Sequence, residues 1–262
     1  MDETKATKKV VAIGDLHCGN RVGLTPPQHQ RILAGDKYGA IREETWSEYT
    51  RMIDAQKPIS VLLVNGDTID GTGFRQGGVD LIEPDMVRQC DIASEVILYA
   101  EAETILMTKG TFYHTGSNLD FEDIIAKNVN ARKISAEETF KVNSTVFNAK
   151  HHVGRSAILH GRATPILREH INNILWKEKG LFEEKADIII RSHVHYFNYA
   201  GADGFLVMTL PALSGLGSRY GARVPSETVD FGIVFFSVSE DSYSWGWDIC
   251  LGETQKTEVL EL

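Results

Sequence analysis

Short apolar runs rich in β-branched residues recur along the chain, and most of them end at a glycine or a polar residue. Runs that are apolar at every position are typical of strands buried on both faces of a sheet. The pattern predicts strands at 10–13, 59–64, 104–108, 157–159, 187–190, 205–210 and 231–238.

Between these runs, apolar residues recur every three or four positions, which predicts amphipathic helices. The stripes cover 46–53, 86–100 and 167–175, each with a proline or glycine where the helix should begin or end. Strands that alternate with helices indicate an α/β fold with parallel strands. The regions 139–160 and beyond 205 lack such stripes, so antiparallel or mixed strands are expected there.

The composition, 42% hydrophobic and 24% charged, is that of a soluble globular protein. The net charge of −9 argues against a surface given over to nucleic acid, but allows a local basic groove or a metal that supplies positive charge. Three cysteines, far apart, indicate reduced thiols in a cytoplasmic protein. Neither a membrane span nor a secretory signal is expected. We treat 1–262 as one domain, with flexible ends at 1–8 and 253–262.

Side chains that can bind metals follow four of the predicted strands. Ligands of α/β sheets bind outside the carboxyl ends of the strands, so these groups should meet at one edge. Residues two apart point the same way in an extended chain, which pairs Asp15 with His17 and His193 with His195. The four segments are Asp15-Leu16-His17, Gly66-Asp67-Thr68-Ile69-Asp70, His160-Gly161 and His193-Val194-His195.

In this order, the four segments resemble the calcineurin-like metallophosphoesterases, and the resemblance spans about residues 10–195. Segments 15–19 and 110–114 are similar to a phage and prophage subgroup. The resemblance implies a two-sheet β-sandwich with mixed strands flanked by helices, in four αββα layers. It also implies a phosphoesterase in which water bridging two metal ions attacks phosphorus, with diesters favoured over monoesters. A nuclease acting on DNA or RNA ends is one version of this function.

The resemblance also implies a ligand set for two divalent metal ions. Carboxylate and imidazole ligands suit Mn, Fe, Ni or Zn better than Mg or Ca, and Mn is expected. Asp70 would orient a metal-bound imidazole, or is a turn residue before Gly71. The ligands would be Asp15, His17 and His195 on one ion, His160 and His193 on the other, and Asp67 between the two.

One motif departs from the family pattern, which has Gly-Asn-His followed by an acidic residue. Here the segment is Gly110-Thr111-Phe112-Tyr113-His114, without the Asn ligand. We expect His114 to protonate the leaving oxygen, with ligation of the second metal as the alternative. Arg75 and Arg162 are candidate substrate-binding residues, because the guanidinium fork suits phosphate oxygens. The expected partner is a phosphoester substrate, nucleic acid or nucleotide included.

Two other functions stay open at this point. The missing Asn-His motif favours a non-catalytic scaffold of the same fold that binds proteins, although a pure scaffold has no physical reason to hold six candidate ligands. A single-metal esterase that acts on carboxyl esters is the other alternative. The sequence determines neither the substrate nor the oligomeric state.

Overall fold

Two β-sheets and five α-helices form the part of the chain that the structure, a computed structural model, describes: residues 6–30, 38–74, 77–116, 119–156, 158–215 and 229–250. The helices are α1 (Gly39–Asp54), α2 (Met86–Leu98), α3 (Phe112–Thr115), α4 (Phe121–Asn128) and α5 (Ala163–Glu178). The strands are β1 (Lys8–Ile13), β2 (Val61–Asn65), β3 (Thr104–Thr108), β4 (Lys133–Ser135), β5 (Glu137–Val142), β6 (Thr145–Lys150), β7 (Ile188–Arg191), β8 (Asn198–Ala202), β9 (Phe205–Thr209), β10 (Phe231–Val238) and β11 (Tyr243–Cys250). No helix among the described residues is long and apolar enough to span a bilayer.

Both sheets mix parallel and antiparallel strands. The six-stranded sheet runs in the order β11-β10-β1-β2-β3-β4, and β1 to β4 are parallel. The five-stranded sheet runs β5-β6-β7-β9-β8, and its central strands β6, β7 and β9 are parallel. The loops after these parallel strands therefore leave each sheet at its carboxyl edge.

Alternate residues of the central strands face different layers, as strand geometry requires. Leu62 packs against the helices that cover the six-stranded sheet, whereas Leu63 packs between the two sheets. In the second sheet, Ile190 faces the same interior, and Ile189 faces Ile166 of α5. The layers are thus helix, sheet, sheet and helix, which confirms the predicted αββα sandwich.

Most predicted strands are present, but the one at 157–159 is wrong. Ile158 lies in a bend, and Leu159–Gly161 form a short, exposed 3-10 helix ahead of α5. The strand of this region is instead β6, which begins twelve residues earlier at Thr145. Lys8, predicted to lie in a flexible end, is the first residue of β1.

Candidate metal centre

The loops that follow β1 and β2 are joined by their backbones at the carboxyl edge of the sheet. Asp15 N–H donates to Gly66 O, and His17 N–H donates to Asp67 O, both at 3.0 Å. The loop after β7 joins them, because His193 N–H donates to Asp15 Oδ2 at 3.0 Å. Three of the predicted segments are therefore fixed to one another before any side chain binds a ligand.

Five of the predicted ligands have left-handed backbone conformations, which residues other than glycine rarely adopt. Such conformations cost about 1–3 kcal/mol each and concentrate at functional sites, where the surrounding structure enforces them. The five φ angles are 52° at Asp15, 46° at His17, 50° at Asp67, 74° at His193 and 59° at His195.

The first cluster consists of Asp15, His17 and His195. The Nε2 atoms of His17 and His195 lie 3.1 Å apart, and His195 Nε2 is 3.3 Å from Asp15 Oδ1. Asp70 accepts from Nδ1 of His17 at 3.2 Å, so the Nε2 lone pair of His17 faces the cluster. Asn20 donates to the other oxygen of Asp70 at 3.0 Å. Asp70 thus orients the His17 ring, as a partner of a metal-bound histidine would.

The second cluster consists of Asp67, His151 and His193. His151 donates from Nδ1 to Asn65 O at 2.7 Å, which directs its Nε2 at Asp67 Oδ2, 3.0 Å away. The same Nε2 is 3.9 Å from Asp15 Oδ1 of the first cluster. The two clusters are therefore contiguous.

His160 lies outside both clusters, contrary to its expected role as a ligand. It is exposed in the 3-10 helix Leu159–Gly161, and His151, directly after β6, lies in the second cluster instead. We therefore replace His160 with His151 in the candidate ligand set. The neighbouring His152 is exposed, and its ring packs on that of His193 at 4.5 Å between centroids.

The electrostatics of the site favour a bound cation. Burial would raise the pKa of Asp67, but His151 and other nearby histidines outweigh it and hold that pKa well below its ordinary value. Burial likewise opposes ionisation of Asp15, yet His195 and His151 keep its pKa lowered. For His151, burial lowers the pKa, but Asp67 and Asp15 raise it to about 10. Without a metal, a proton on His151 balances the two buried carboxylates.

The residues present also fit a metal by their chemistry. Among the described residues, Asp15 Oδ1 and His151 Nε2 are buried and make no well-aligned hydrogen bond, and their partners are ionisable groups of the site itself: His195 Nε2 at 3.3 Å from Asp15 Oδ1 and Asp67 Oδ2 at 3.0 Å from His151 Nε2. Two carboxylates and four imidazoles form a donor set suited to Mn, Fe, Ni or Zn.

His114 forms a third candidate group with His17 and Asp70, which shares His17 with the first cluster. Its Nδ1 donates to Asp70 O at 3.0 Å, and its Nε2 is 4.0 Å from Asp67 Oδ2. Burial and the nearby His17 lower its pKa. The imidazole therefore presents a titratable nitrogen to the space beside Asp67.

Of the two candidate phosphate-binding arginines, the structure describes only Arg162. Arg162 stacks its guanidinium over the ring of Tyr196 at 4.1 Å, and Arg75 lies outside the described residues. Arg162 as a substrate-binding residue stays a prediction.

Sequence reasoning missed the residues that connect these loops. Buried Glu122 of α4 accepts from Thr68 N–H at 3.1 Å and from Gly110 N–H at 2.6 Å. Thr111 N–H then donates to Asp67 Oδ1 at 2.5 Å. Helical periodicity marks Glu122 only as a polar position in a first turn, so no sequence signal distinguished it.

Neither a protein-family profile nor a curated protein sequence matches the chain. By structure, it is similar to Vacuolar Protein Sorting 29 from Cryptosporidium parvum (TM-score 0.46, 12% identity, covering 94% of this chain and 99% of the other). Vps29 from Entamoeba histolytica complexed with Zn²⁺ has a TM-score of 0.42 at 14% identity, covering 92% and 98%. A novel archaeal phosphodiesterase has a TM-score of 0.44 at 10% identity, covering 91% and 99%. We therefore infer what this chain does from its own residues.

Proposed function

We propose that this protein is a metal-dependent phosphoesterase with a binuclear centre, acting on diesters in preference to monoesters. One observation carries the proposal: two contiguous clusters bring two buried carboxylates and four imidazoles together at the carboxyl edges of the two sheets.

Each cluster would hold one divalent ion, manganese in our proposal. Asp15, His17 and His195 would bind the first. His151 and His193 would bind the second, and Asp67 would lie between the two. Divalent cations at such a centre supply Lewis acidity, which acidifies water for attack on phosphorus and offsets charge on the phosphoryl oxygens.

The protein's own groups would position the ligand imidazoles and protonate the leaving oxygen. Asp70 keeps Nε2 of His17 directed at the first cluster through the bond to Nδ1. Asn65 does the same for His151 through its carbonyl oxygen. His114, whose Nε2 faces the space beside Asp67, would give a proton to the leaving oxygen.

The test is hydrolysis of bis-p-nitrophenyl phosphate and of p-nitrophenyl phosphate by protein stripped of metal and then supplied with Mn²⁺. We expect Mn²⁺-dependent turnover, faster on the diester. The variant Asp15→Asn should lose at least a hundredfold in rate while its circular dichroism and melting temperature stay close to those of the wild type.

A scaffold gives the opposite result. Protein that binds two ions but cleaves neither substrate, nor a panel of nucleotide diesters, would sink the proposal. Cleavage of a carboxyl ester by protein with one ion per chain would favour the single-metal esterase.

A further inference from the structure

The hydroxyl of Thr111 faces two members of the second cluster. Its Oγ1 lies 3.2 Å from Asp67 Oδ2 and 3.3 Å from His193 Nδ1. The backbone N–H of the same residue donates to the other oxygen of Asp67. Thr111 therefore approaches Asp67 with both its backbone and its side chain.

This placement is not the ordinary use of a threonine before a helix. Thr111 stands at the N-cap of α3, where a threonine hydroxyl usually accepts from an N–H of the first turn. In the described part of the chain it makes no such capping bond. The hydroxyl is directed at the cluster instead.

The backbone leaves Thr111 little freedom to move away. A Cβ on Gly110 would collide with the backbone nitrogen and the side chain of Asp67, so the chain passes directly over that residue. Glu122 holds Gly110 from the other side through the peptide N–H. The position of Oγ1 is thus set by the fold.

The spacing of the facing atoms suits ligands of a single ion. Donor atoms about 2.1 Å from one cation lie about 3.0–3.4 Å apart in octahedral or tetrahedral arrangements. Asp67 Oδ2 is 3.0 Å from His151 Nε2 and 3.2 Å from Thr111 Oγ1. A hydroxyl has one hydrogen and two lone pairs, so donating to either neighbour leaves a lone pair for a cation.

We propose that Thr111 Oγ1 is a direct fourth ligand of the cation held by Asp67, His151 and His193. This inference rests on the metal centre of the proposed function. A neutral hydroxyl is a weaker donor than a carboxylate, so the second ion should bind less tightly than the first. Removing the hydroxyl should weaken binding of the second ion further and leave binding of the first ion unchanged.

Metal titration of the full-length, metal-stripped protein tests the proposal. Thr111→Val keeps the shape of the side chain and removes the oxygen, whereas Thr111→Ser keeps the oxygen. In equilibrium dialysis with Mn²⁺, we expect Thr111→Val to lower the affinity for the second ion at least tenfold, by analogy with ligand-shell mutations. The affinity of Thr111→Ser should stay within about threefold of that of the wild type. Thr115→Val, which alters the buried threonine at the other end of α3, is the matched control.

A spectroscopic readout separates a ligand from a hydroxyl that only orients its neighbours. Thr111→Cys places a soft thiolate donor at the same position. Loaded with Co²⁺, this variant should gain a thiolate-to-cobalt charge-transfer band that the wild type and Thr115→Cys lack.

The outcomes separate this inference from the proposed function. Wild-type affinity for both ions in Thr111→Val, or no band in Thr111→Cys carrying two Co²⁺ ions, overturns the ligand role alone. A wild type that binds fewer than two ions overturns both proposals. Two ions with the expected Thr111 effects but without phosphoester turnover overturn the proposed function and leave the ligand role standing.

Discussion

Nε2 of His151 lies 3.0 Å from Oδ2 of Asp67, although the two residues come from different sheets. His151 follows β6 of the five-stranded sheet, and Asp67 follows β2 of the six-stranded sheet. The pair therefore joins the two halves of the sandwich at their carboxyl edges. It also identifies the histidine that the second cluster uses.

Replacing His151 should reduce the number of bound metal ions by one. We expect His151→Ala to lose the second ion and at least a hundredfold in diesterase rate, since a ligand and a buried partner of Asp67 are both removed. His160→Ala, an exposed histidine outside the clusters, should keep the ion count and the rate. Metal analysis of the two purified variants, together with their initial rates, shows which histidine the second ion needs. Loss of metal in His160→Ala with retention in His151→Ala would restore the original assignment.

The metal-free protein should lose stability as the pH rises. The ordinary pKa of histidine is 6.5, and Asp67 and Asp15 raise that of His151 to about 10 against the opposing effect of burial. Stabilisation by the protonated imidazole is thus complete below about pH 6.5 and is lost as the pH approaches 10. Urea denaturation of the metal-free wild type and of His151→Gln between pH 6 and 10 measures this contribution to the free energy of unfolding.

The informative quantity in that experiment is the difference between the two proteins, since other groups titrate over the same range. The wild type should lose its advantage over His151→Gln as the pH rises. In the metal-loaded protein this loss should disappear, because the ion replaces the proton. A constant difference across the range would contradict the assigned pKa direction.

The sequence predicted the residues of the first cluster because residues 10–13 of β1 and 188–190 of β7 are apolar at every position and precede them. It missed His151 because β6 contains polar residues that are nonetheless buried. Asn148 lies inside the strand, where its amide donates to Glu137 and Thr139 of β5. Cross-strand hydrogen bonds satisfy such residues, but they depend on pairing that a local pattern does not contain.

The opposite error explains the wrong strand at 157–159. Ile158 and Leu159 satisfy the pattern of a buried run, yet their side chains are 59% and 74% exposed. An apolar triplet indicates burial only when a neighbouring strand covers it, and here the chain turns into α5. The left-handed backbone of the ligand residues was equally beyond local patterns, since it follows from contacts between loops.

His114 should matter most for poor leaving groups. A general acid accelerates departure of an alkoxide but contributes little to departure of an acidic phenol such as p-nitrophenol. We expect His114→Asn to lower cleavage of an alkyl diester about 10²–10⁴-fold and that of bis-p-nitrophenyl phosphate much less. Burial and His17 lower the pKa of His114 below its ordinary value of 6.5. Because only the protonated imidazole can act as an acid, the part of the rate that depends on His114 should decline as the pH rises through that lowered pKa.

The alternative role of His114 has its own signature. If the imidazole were a metal ligand, His114→Asn would release an ion and lower the rates on both substrates by the same factor. Metal analysis of the variant and the ratio of its two rates therefore decide between an acid and a ligand.

Glu122 should act on the second ion without touching it. Burial raises the pKa of Glu122 to about 7, and its carboxylate oxygens accept from Gly110 and Thr68. Glu122→Gln places an amide N–H₂ against one of these N–H donors, which leaves a buried donor unpaired at a cost of about 1–3 kcal/mol. The loop that carries Thr111 should loosen, so we expect both a lower free energy of unfolding and weaker binding of the second ion.

A second buried glutamate separates these two effects. Glu138 of β5 is as buried as Glu122, but it bonds to Ser135 and Lys133. Glu138→Gln should therefore destabilise the protein without changing the affinity for either ion. Calorimetric titration with Mn²⁺ and urea denaturation of both variants provide the comparison. If equal losses of stability came with equal losses of metal affinity, general loosening of the fold would account for the Glu122 effect, and its role in positioning Thr111 would be refuted.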